Sequence, residues 1–450
     1  MDKSDKGTIS RRAFLATVPA VASAPLLGAT AAGAELAVKG GKPTRSTVLK
    51  SECPGAQFYD SQEIGEASEA VASHSLFRWY GPAKPEKVTK FEQEFAKFLS
   101  SKFVLGVTSG TGALHCALTA LNVGPGDEVI LPAWTWYSDY NAILLTGALP
   151  VFAEVDESFE IDPADVEKKI TPKTKAIVAV HLMGVPVDMD GIMSVARARN
   201  IKVLEDVAQC AGGQYKGRRL GSIADIGIFS FQIHKMMTAG EGGAVVTSDP
   251  LLYERAVRFH DLGLLRPATK AQLGSLAMSS FLGTNYRMNE MTGGVLRAQL
   301  RKLDSILAIQ RRNCRYVKER IQNLPGLKLR KMNDAGGDIG ITIDLLLPTK
   351  QARVEFVAAM EAENVPMSSP TAASVLTTAP YIENKVVPHP EWPTFKTPRG
   401  LAMQYGHDAS PRTIEIYDRA ATLTIGPKYT DDDLNDIVAA ITKVHQALHA

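Results

Sequence analysis

From Phe103 to Thr247, short apolar runs alternate with helical stretches, and this limits the fold more than any other feature of the chain. "FVLGV" is followed by "GTGALHCALTAL", and "DEVILPAW" by "SDYNAILLTGA". "LPVFAEV" precedes the acidic helix start "DPADVEKK", and "KAIVAVHL" precedes "MDGIMSVARARN". "IKVLEDVA", "IGIFSFQ" and "GGAVVT" then follow at short spacing. Strands that alternate with helices form a mostly parallel sheet covered on both faces. Ligands of such sheets bind beyond the carboxyl ends of the strands. The residues just past each apolar run are therefore where chemistry is to be sought.

After Asn285 the units become smaller. "MNEMTGGVLRAQLRKLDSILAIQRRNCRYVKERIQNL" is one long amphipathic helical pattern, with Gly293 and Gly294 as a possible break. "GITIDLLL", the helical "QARVEFVAAMEAEN", "ATLTIG" and the helical "DDDLNDIVAAITKVHQALHA" follow. A chain of 450 residues, 45% of them hydrophobic and 22% charged, is long enough for two domains. The expected α/β organisation is a large domain over residues 35–300 and a smaller α/β domain over 301–450. Residues 368–418 are irregular and rich in Pro, Thr and His, either a substrate-facing loop or a surface excursion. Cys53, Cys116, Cys210 and Cys314 are too widely spaced for a zinc or redox motif and are expected to be free thiols, with one disulfide as the alternative.

Residues 1–34 form a separate unit. A polar, basic start leads into 22 uncharged residues, Ala13 to Ala34, broken by Pro19, Pro25, Gly28 and Gly33. That is a poor membrane span and a good secretory signal. "SRRAFL" resembles the twin-arginine export signal, with Arg11 and Arg12 as the pair, and small residues end at Ala31 or Ala34. The expected location is the periplasm, with a disordered tail and a cytoplasmic protein as the alternative. Removing residues 1–34 leaves 46 basic and 46 acidic residues, so net charge goes from +2 to zero. That balance offers no electrostatic case for nucleic acid or an anionic membrane as partner.

Four features sit at strand ends. "TSGTGALHCAL" runs from a strand through glycines into a helix, whose first N–H groups make an anion site. "PAWTWYSDYNAI" places aromatic side chains past a strand, either as core or as a flat face for a ring. "VLEDVAQ" ends an apolar strand with Asp206, a carboxylate that needs a partner if buried. "FSFQIHKMMTAGEGGAVVT" contributes Ser230 and Lys235, the latter either a solvated surface lysine or a nucleophile. Together they suit pyridoxal 5′-phosphate: a helix start for the phosphate, an aromatic on the ring, an Asp for the ring nitrogen, and a lysine for the aldehyde. Neither a P-loop motif nor a G-x-G-x-x-G fingerprint is present. No metal site is expected, because only His445 and His449 have ligand-like spacing, at a chain end where a frayed helix face accounts for them.

From about Ala37 to the C-terminus the chain resembles the fold-type I pyridoxal phosphate aminotransferases of the DegT/DnrJ/StrS group, which act on keto-sugars and related rings. The motifs match in order: "VKGGKPTR", "SGTGALHCAL", "GPGDEVILPAWTW", "FEIDPADVEKKITPKTKAIVAVHLMG", "VLEDVAQCAGGQYKGRRLGSIADIG", "FSFQIHKMMTAGEGGAVVT" and "NYRMNEMTGGVLRAQL". The "FQ..K..T.GEGGAVVT" pattern is similar to members that use glutamine or glutamate as amino donor on cyclitols and aminohydroxybenzoate precursors. The resemblance implies that Gly110, Thr111 and Ser230 hold the phosphate. It implies that Trp136 stacks on the ring, with Trp134 or Tyr137 as alternatives. Asp206 then pairs with the ring nitrogen, Gln209 approaches the phenolic oxygen and Lys235 forms the Schiff base. Asn285 is expected to reach the phosphate of a neighbouring subunit, which makes the site a property of a homodimer.

Some relatives carry a catalytic histidine in place of the lysine and act as dehydratases, so "HK" has to be placed in frame. The transaminating lysine lies five residues before the first glycine of "GEGG", and here that residue is Lys235, five before Gly240. His234 is then a neighbour. The implied activity moves an amino group from a small-molecule donor, glutamate or glutamine, to a carbonyl acceptor on a keto-sugar, cyclitol or related compound. The alternative is an idle binding or sensory protein that keeps the cofactor fold. An intact Lys235, Asp206 and Ser230 favour the enzyme. His181, in "HLMG", lies at a strand end with no role assigned.

Overall fold

The computed structural model describes residues 35–51, 53–273, 278–368 and 375–449. The export-signal reading of residues 1–34 lies outside them. The alternating pattern folds into a seven-stranded sheet of β1 (Phe103–Val107), β2 (Glu128–Pro132), β3 (Leu149–Ala153), β4 (Thr174–Val180), β5 (Lys202–Asp206), β8 (Ile226–Ser230) and β9 (Gly243–Thr247). Its spatial order is β1-β9-β8-β5-β4-β2-β3. Only β9 runs against its neighbours, β1 and β8, so the sheet is mostly parallel as expected. A two-stranded ribbon, β6 (Gln214–Tyr215) and β7 (Arg218–Arg219), sits between β5 and β8 in sequence.

Helices bury both faces of this sheet, which is why its strands read as continuous apolar runs. On one face, Leu114, Leu118, Ile143 and Val257 pack from helices Gly110–Ala120, Tyr137–Leu145 and Pro250–His260. On the other face, Phe91, Phe95, Ile192 and Leu303 pack from helices Lys87–Leu99, Met189–Ala198 and Glu290–Ile321. Every side chain of β2, β3, β8 and β9 is buried.

The long pattern after Met288 is one unbroken helix, Glu290–Ile321, capped by the Asn289 side chain on the Thr292 N–H. Gly293 and Gly294 do not break it. They let two chain segments approach its first turn: a Cβ on Gly293 would lie 2.7 Å from Val88 N, and one on Gly294 would lie 3.1 Å from Glu66 O. Bare backbone at a close contact is what glycine permits, and here it is used without cost to helix geometry. The helix then continues into a second core. There Cys314, Val317 and Ile321 meet the antiparallel sheet of β10 (Lys328–Leu329), β11 (Thr342–Leu346) and β12 (Ala420–Thr424). Helices Lys350–Ala362 and Asp431–His449 complete this smaller unit.

Two segments cross between the units. Leu36 and Leu49 pack into the small core, and Glu363 ties them there by accepting from Ala37 N and Thr44 N. The stretch after residue 375, expected to be irregular, folds into short helices such as Pro380–Glu383 and Pro411–Asp418 and packs the other way, with Val375, Ile382, Phe395 and Tyr417 set against the large sheet. His445, expected on a frayed helix face, is buried and hydrogen-bonds the Pro325 carbonyl. All four cysteines are free. Among the described residues no helix is long and apolar enough to cross a membrane, and no three His, Cys, Asp or Glu side chains converge on a metal position.

Candidate active site

A cavity of about 810 Å³ opens beyond the carboxyl ends of the parallel strands. Gly110, Thr111, Trp136, Asp206, Gln209, Ser230 and Lys235 all line it, though they come from four separate stretches of sequence. Asn285 does not line it. That residue is exposed, its backbone forms an antiparallel bridge with Asp261, and its side-chain Oδ1 accepts from Arg287 N at 3.3 Å.

One wall is the start of helix Gly110–Ala120. Ser109 caps it through the Gly112 N–H at 3.0 Å. The Gly110 and Thr111 N–H groups before it have no helical acceptor and carry the positive end of the helix dipole. Close packing holds this turn in place. A Cβ on Gly110 would stand 2.7 Å from Ser230 Cβ, and a Cβ on Gly243 would stand 2.3 Å from the Ser109 carbonyl. Three hydroxyls join the amides. Ser230 follows from the end of β8, and Thr111 Oγ1 pairs with Ser138 Oγ at 2.8 Å. The result is a compact concavity of N–H and O–H groups, suited to an anion.

Lys235 enters on a tight loop after β8. Phe231 N donates to the Gly242 carbonyl at 2.9 Å and Ala239 N to the Phe231 carbonyl at 3.0 Å, which ties the two ends of that loop together. Gly240, with φ +82°, makes the turn, which accounts for one glycine of "GEGG". The Cys53–Gly55 segment closes over the loop, with Gly55 N donating to the Lys235 carbonyl at 3.2 Å. Burial lowers the affinity of the Lys235 amine for its proton, and Asp206, Asp139 and Glu241 partly restore it. The net shift is downward, which favours the neutral, nucleophilic form.

Asp206 ends β5 with 4% of its surface exposed. Its Oδ1 accepts from Ala208 N at 2.7 Å, and its side chain meets that of Asp139. Gln209 Oε1 accepts from Met183 N at 3.0 Å, which leaves the amide NH₂ as the free end. Trp136 precedes helix Tyr137–Leu145 and is 63% exposed, a large apolar ring at the cavity mouth. Trp134 is engaged elsewhere, its ring 4.2 Å from that of Tyr417.

Three participants were not legible in the sequence. Ser138 and Asp139 read there as ordinary first-turn helix residues. Cys53 lines the cavity from the N-terminal segment, with its sulfur 3.1 Å from His234 Nδ1. The Thr135–Asp139 spacing of four was the only available signal, and it becomes a hydrogen bond of 2.6 Å between their side chains. His181 proves structural. Its Nδ1 accepts from Val187 N at 3.0 Å, so its Nε2 carries the proton and faces Glu205 at 3.3 Å.

The DegT/DnrJ/EryC1/StrS aminotransferase family model matches residues 60–442. The chain belongs to this family. It is 41% identical over 267 residues to the GDP-perosamine synthase of Escherichia coli O157:H7, covering 59% of this chain and 71% of that one. It is 32% identical over 393 residues to the spore coat polysaccharide biosynthesis protein SpsC of Bacillus subtilis, covering 85% of this chain and 94% of that one. Among solved structures, 3-amino-5-hydroxybenzoic acid synthase superposes with a TM-score of 0.73 at 27% identity, over 90% of this chain and all of that one. The protein is therefore a fold-type I aminotransferase that depends on pyridoxal 5′-phosphate. The cavity fits that cofactor in three respects. Its anion concavity is one that a single methyl group on Gly110 would crowd, its carboxyl Asp206 is buried, and burial lowers the proton affinity of its amine Lys235.

Proposed function

We propose that this aminotransferase moves an amino group from glutamate or glutamine to a ketone or aldehyde on a sugar, cyclitol or related ring. The observation that carries the proposal is the convergence of Lys235, Asp206 and the Gly110–Thr111 turn on one cavity. The Gly110 and Thr111 amides, with the Ser230 and Ser138 hydroxyls, bind the cofactor phosphate. Trp136 covers one face of the ring and excludes water from it. The Gln209 NH₂ donates to the phenolic oxygen. Asp206 holds the proton on the ring nitrogen through opposite charge. When bound, the cofactor supplies an electron sink for the carbon whose proton is removed. Lys235 Nζ takes that proton and returns it elsewhere, as general base and then general acid. The relatives named above make amino sugars and an aminohydroxybenzoate, which supports a polyhydroxylated or cyclic acceptor.

The enzyme works as a homodimer in which Asn285 reaches the partner's phosphate site. Support comes from Asn285 lying outside its own cavity, flanked by Leu262 and by Leu282, the latter 89% exposed. Arg11 and Arg12, followed by the uncharged stretch to Ala34, support export of the folded chain. An idle binding protein is the weaker reading, because binding alone gives no use for an amine tuned towards neutrality. The test is a half-reaction, in which L-glutamate and L-glutamine are added separately to the cofactor-loaded protein and its absorbance is followed. Conversion of the bound cofactor to its amine form by either donor is expected. No conversion by either one overturns the donor assignment.

A further inference from the structure

Asp139 stands behind Asp206 and does not line the cavity. It lies in the first turn of helix Tyr137–Leu145 and is 1% exposed. Its Oδ2 accepts from Thr135 Oγ1 at 2.6 Å, while Oδ1 has no donor among the described residues. Its side chain is in hydrogen-bond contact with that of Asp206. Two buried carboxylates in contact cannot both be ionised, because each charge opposes the other and water is absent to screen them. A proton must therefore lie between the pair.

The surroundings decide which residue owns it. Asp206 has an N–H donor from Ala208 and the Lys235 amine nearby, both of which favour its charge. Asp139 has no backbone donor and a single hydroxyl, that of Thr135, besides the attraction of Lys235. We propose that Asp139 is a neutral carboxylic acid that donates its proton to the Asp206 carboxylate, making it a positioning residue for the cofactor's ring nitrogen. The donated bond fixes the rotamer of Asp206 and makes Asp206 a weaker base. The proton shared with the ring nitrogen then stays on the ring. The electrostatics agree. Burial and the Asp206 charge push Asp139 well above the usual carboxylate range. Burial also raises Asp206, but the Ala208 N–H and the Asp139 hydrogen bond pull it back.

The role of Asp139 rests on Asp206 facing the ring nitrogen, whereas its protonation does not. The experiment separates them by using the full chain both stripped of cofactor and loaded. Infrared difference spectra near pH 7, wild type minus Asp139→Asn, are taken on the stripped chain. A carboxylic-acid C=O band should be lost in the variant, and other buried acids such as Glu160 cancel in the difference. In the loaded chain, Asp139→Asn should keep the cofactor dissociation constant and the pH profile of kcat/KM. Its amide can accept from Thr135 and donate to Asp206. Asp139→Ala can do neither. It should weaken cofactor binding by about tenfold or more, as expected for a lost bond to a charged acceptor, and displace the pH profile. An absent band in the wild type, or equal damage in both variants, overturns the proposal. If Asp139→Ala does not fold, the band and the Asn rescue still decide. A failure of the transamination reading would leave the infrared result unchanged.

Discussion

Gly110 and Ser230 touch: a methyl group on Gly110 would sit 2.7 Å from Ser230 Cβ and 3.0 Å from its Oγ. This contact joins the helix start that supplies amides to the strand end that supplies a hydroxyl. Gly110→Ala must push the two apart, and overpacking of this kind costs about 1–3 kcal/mol. The larger effect should fall on the cofactor, because the concavity itself widens. We expect a weaker cofactor dissociation constant by about tenfold or more, with thermal stability of the stripped chain reduced only modestly. Titration of the stripped variant with pyridoxal phosphate checks this, and an unchanged constant would show that the turn does not hold the phosphate.

Much of this was legible in advance, for a physical reason. Each strand of the large sheet is buried on both faces, so β2, β4 and β8 appear as uninterrupted apolar runs. The residues following them are then polar by contrast, which exposed Asp206, Ser230 and Lys235. The illegible part consists of contacts between distant segments. Cys53 meets His234 across 181 positions. The Gly293 and Gly294 pair suggested a broken helix, because helix propensity favours that reading, and only the approach of Val88 and Glu66 shows why glycine is needed there. Asp139 escaped notice because an acidic residue in a first helical turn is ordinarily a dipole partner.

Lys235→Ala should abolish turnover with every donor. Loss of the acid–base function alone removes about 10²–10⁴-fold, and loss of the nucleophile adds to it. The variant should still bind the cofactor through the phosphate concavity, but without a borohydride-stable adduct. Peptide mapping after reduction of the wild type should place the adduct on Lys235. An adduct on any other lysine would falsify the assignment.

Glu363 fastens the N-terminal segment to the small core. It accepts from Ala37 N at 2.9 Å and Thr44 N at 2.8 Å, and pairs with Lys443 Nζ at 2.8 Å. Burial raises its proton affinity, but these partners outweigh burial and the net shift is downward. A carboxyl held below its unfolded value stabilises the fold above that value. The contribution disappears as pH falls through the folded value. Glu363→Ala should therefore cost about 3 kcal/mol near neutrality, as for a broken buried pair. Urea unfolding of both proteins at neutral and acidic pH checks this. The gap should narrow as pH falls, and a gap that widens contradicts the assignment.

Export is tested at the N-terminus. Leu36 is buried in the small core, so cleavage after Ala34 would leave the fold intact. Protein isolated from its native cell should begin near Glu35 and fractionate outside the cytoplasm. Changing both Arg11 and Arg12 to Lys should trap the full-length chain inside. An intact Met1 on the native protein counts against processing, and cytosolic fractionation of it would favour nucleotide-linked sugars as substrates.

The proposed sharing of active sites makes a specific prediction about mixtures. Lys235 serves the cavity of its own chain, whereas Asn285 lies outside that cavity and is assigned to the partner's. Lys235→Ala homodimers lack the amine in both sites, and Asn285→Ala homodimers lack the phosphate contact in both. In a mixed dimer of the two, one site draws its intact lysine from the Asn285→Ala chain and its intact asparagine from the Lys235→Ala chain. The other site carries both defects. Mixed dimers, purified through two different tags, should recover up to about half of wild-type turnover, since two-fold symmetry gives two sites and restores one. Recovery requires that the residues act in trans, because neither chain alone can assemble a complete cis site. No recovery, with both chains folded and paired, would mean that Asn285 serves the cavity of its own chain. A fully active Asn285→Ala homodimer would place Asn285 outside the chemistry.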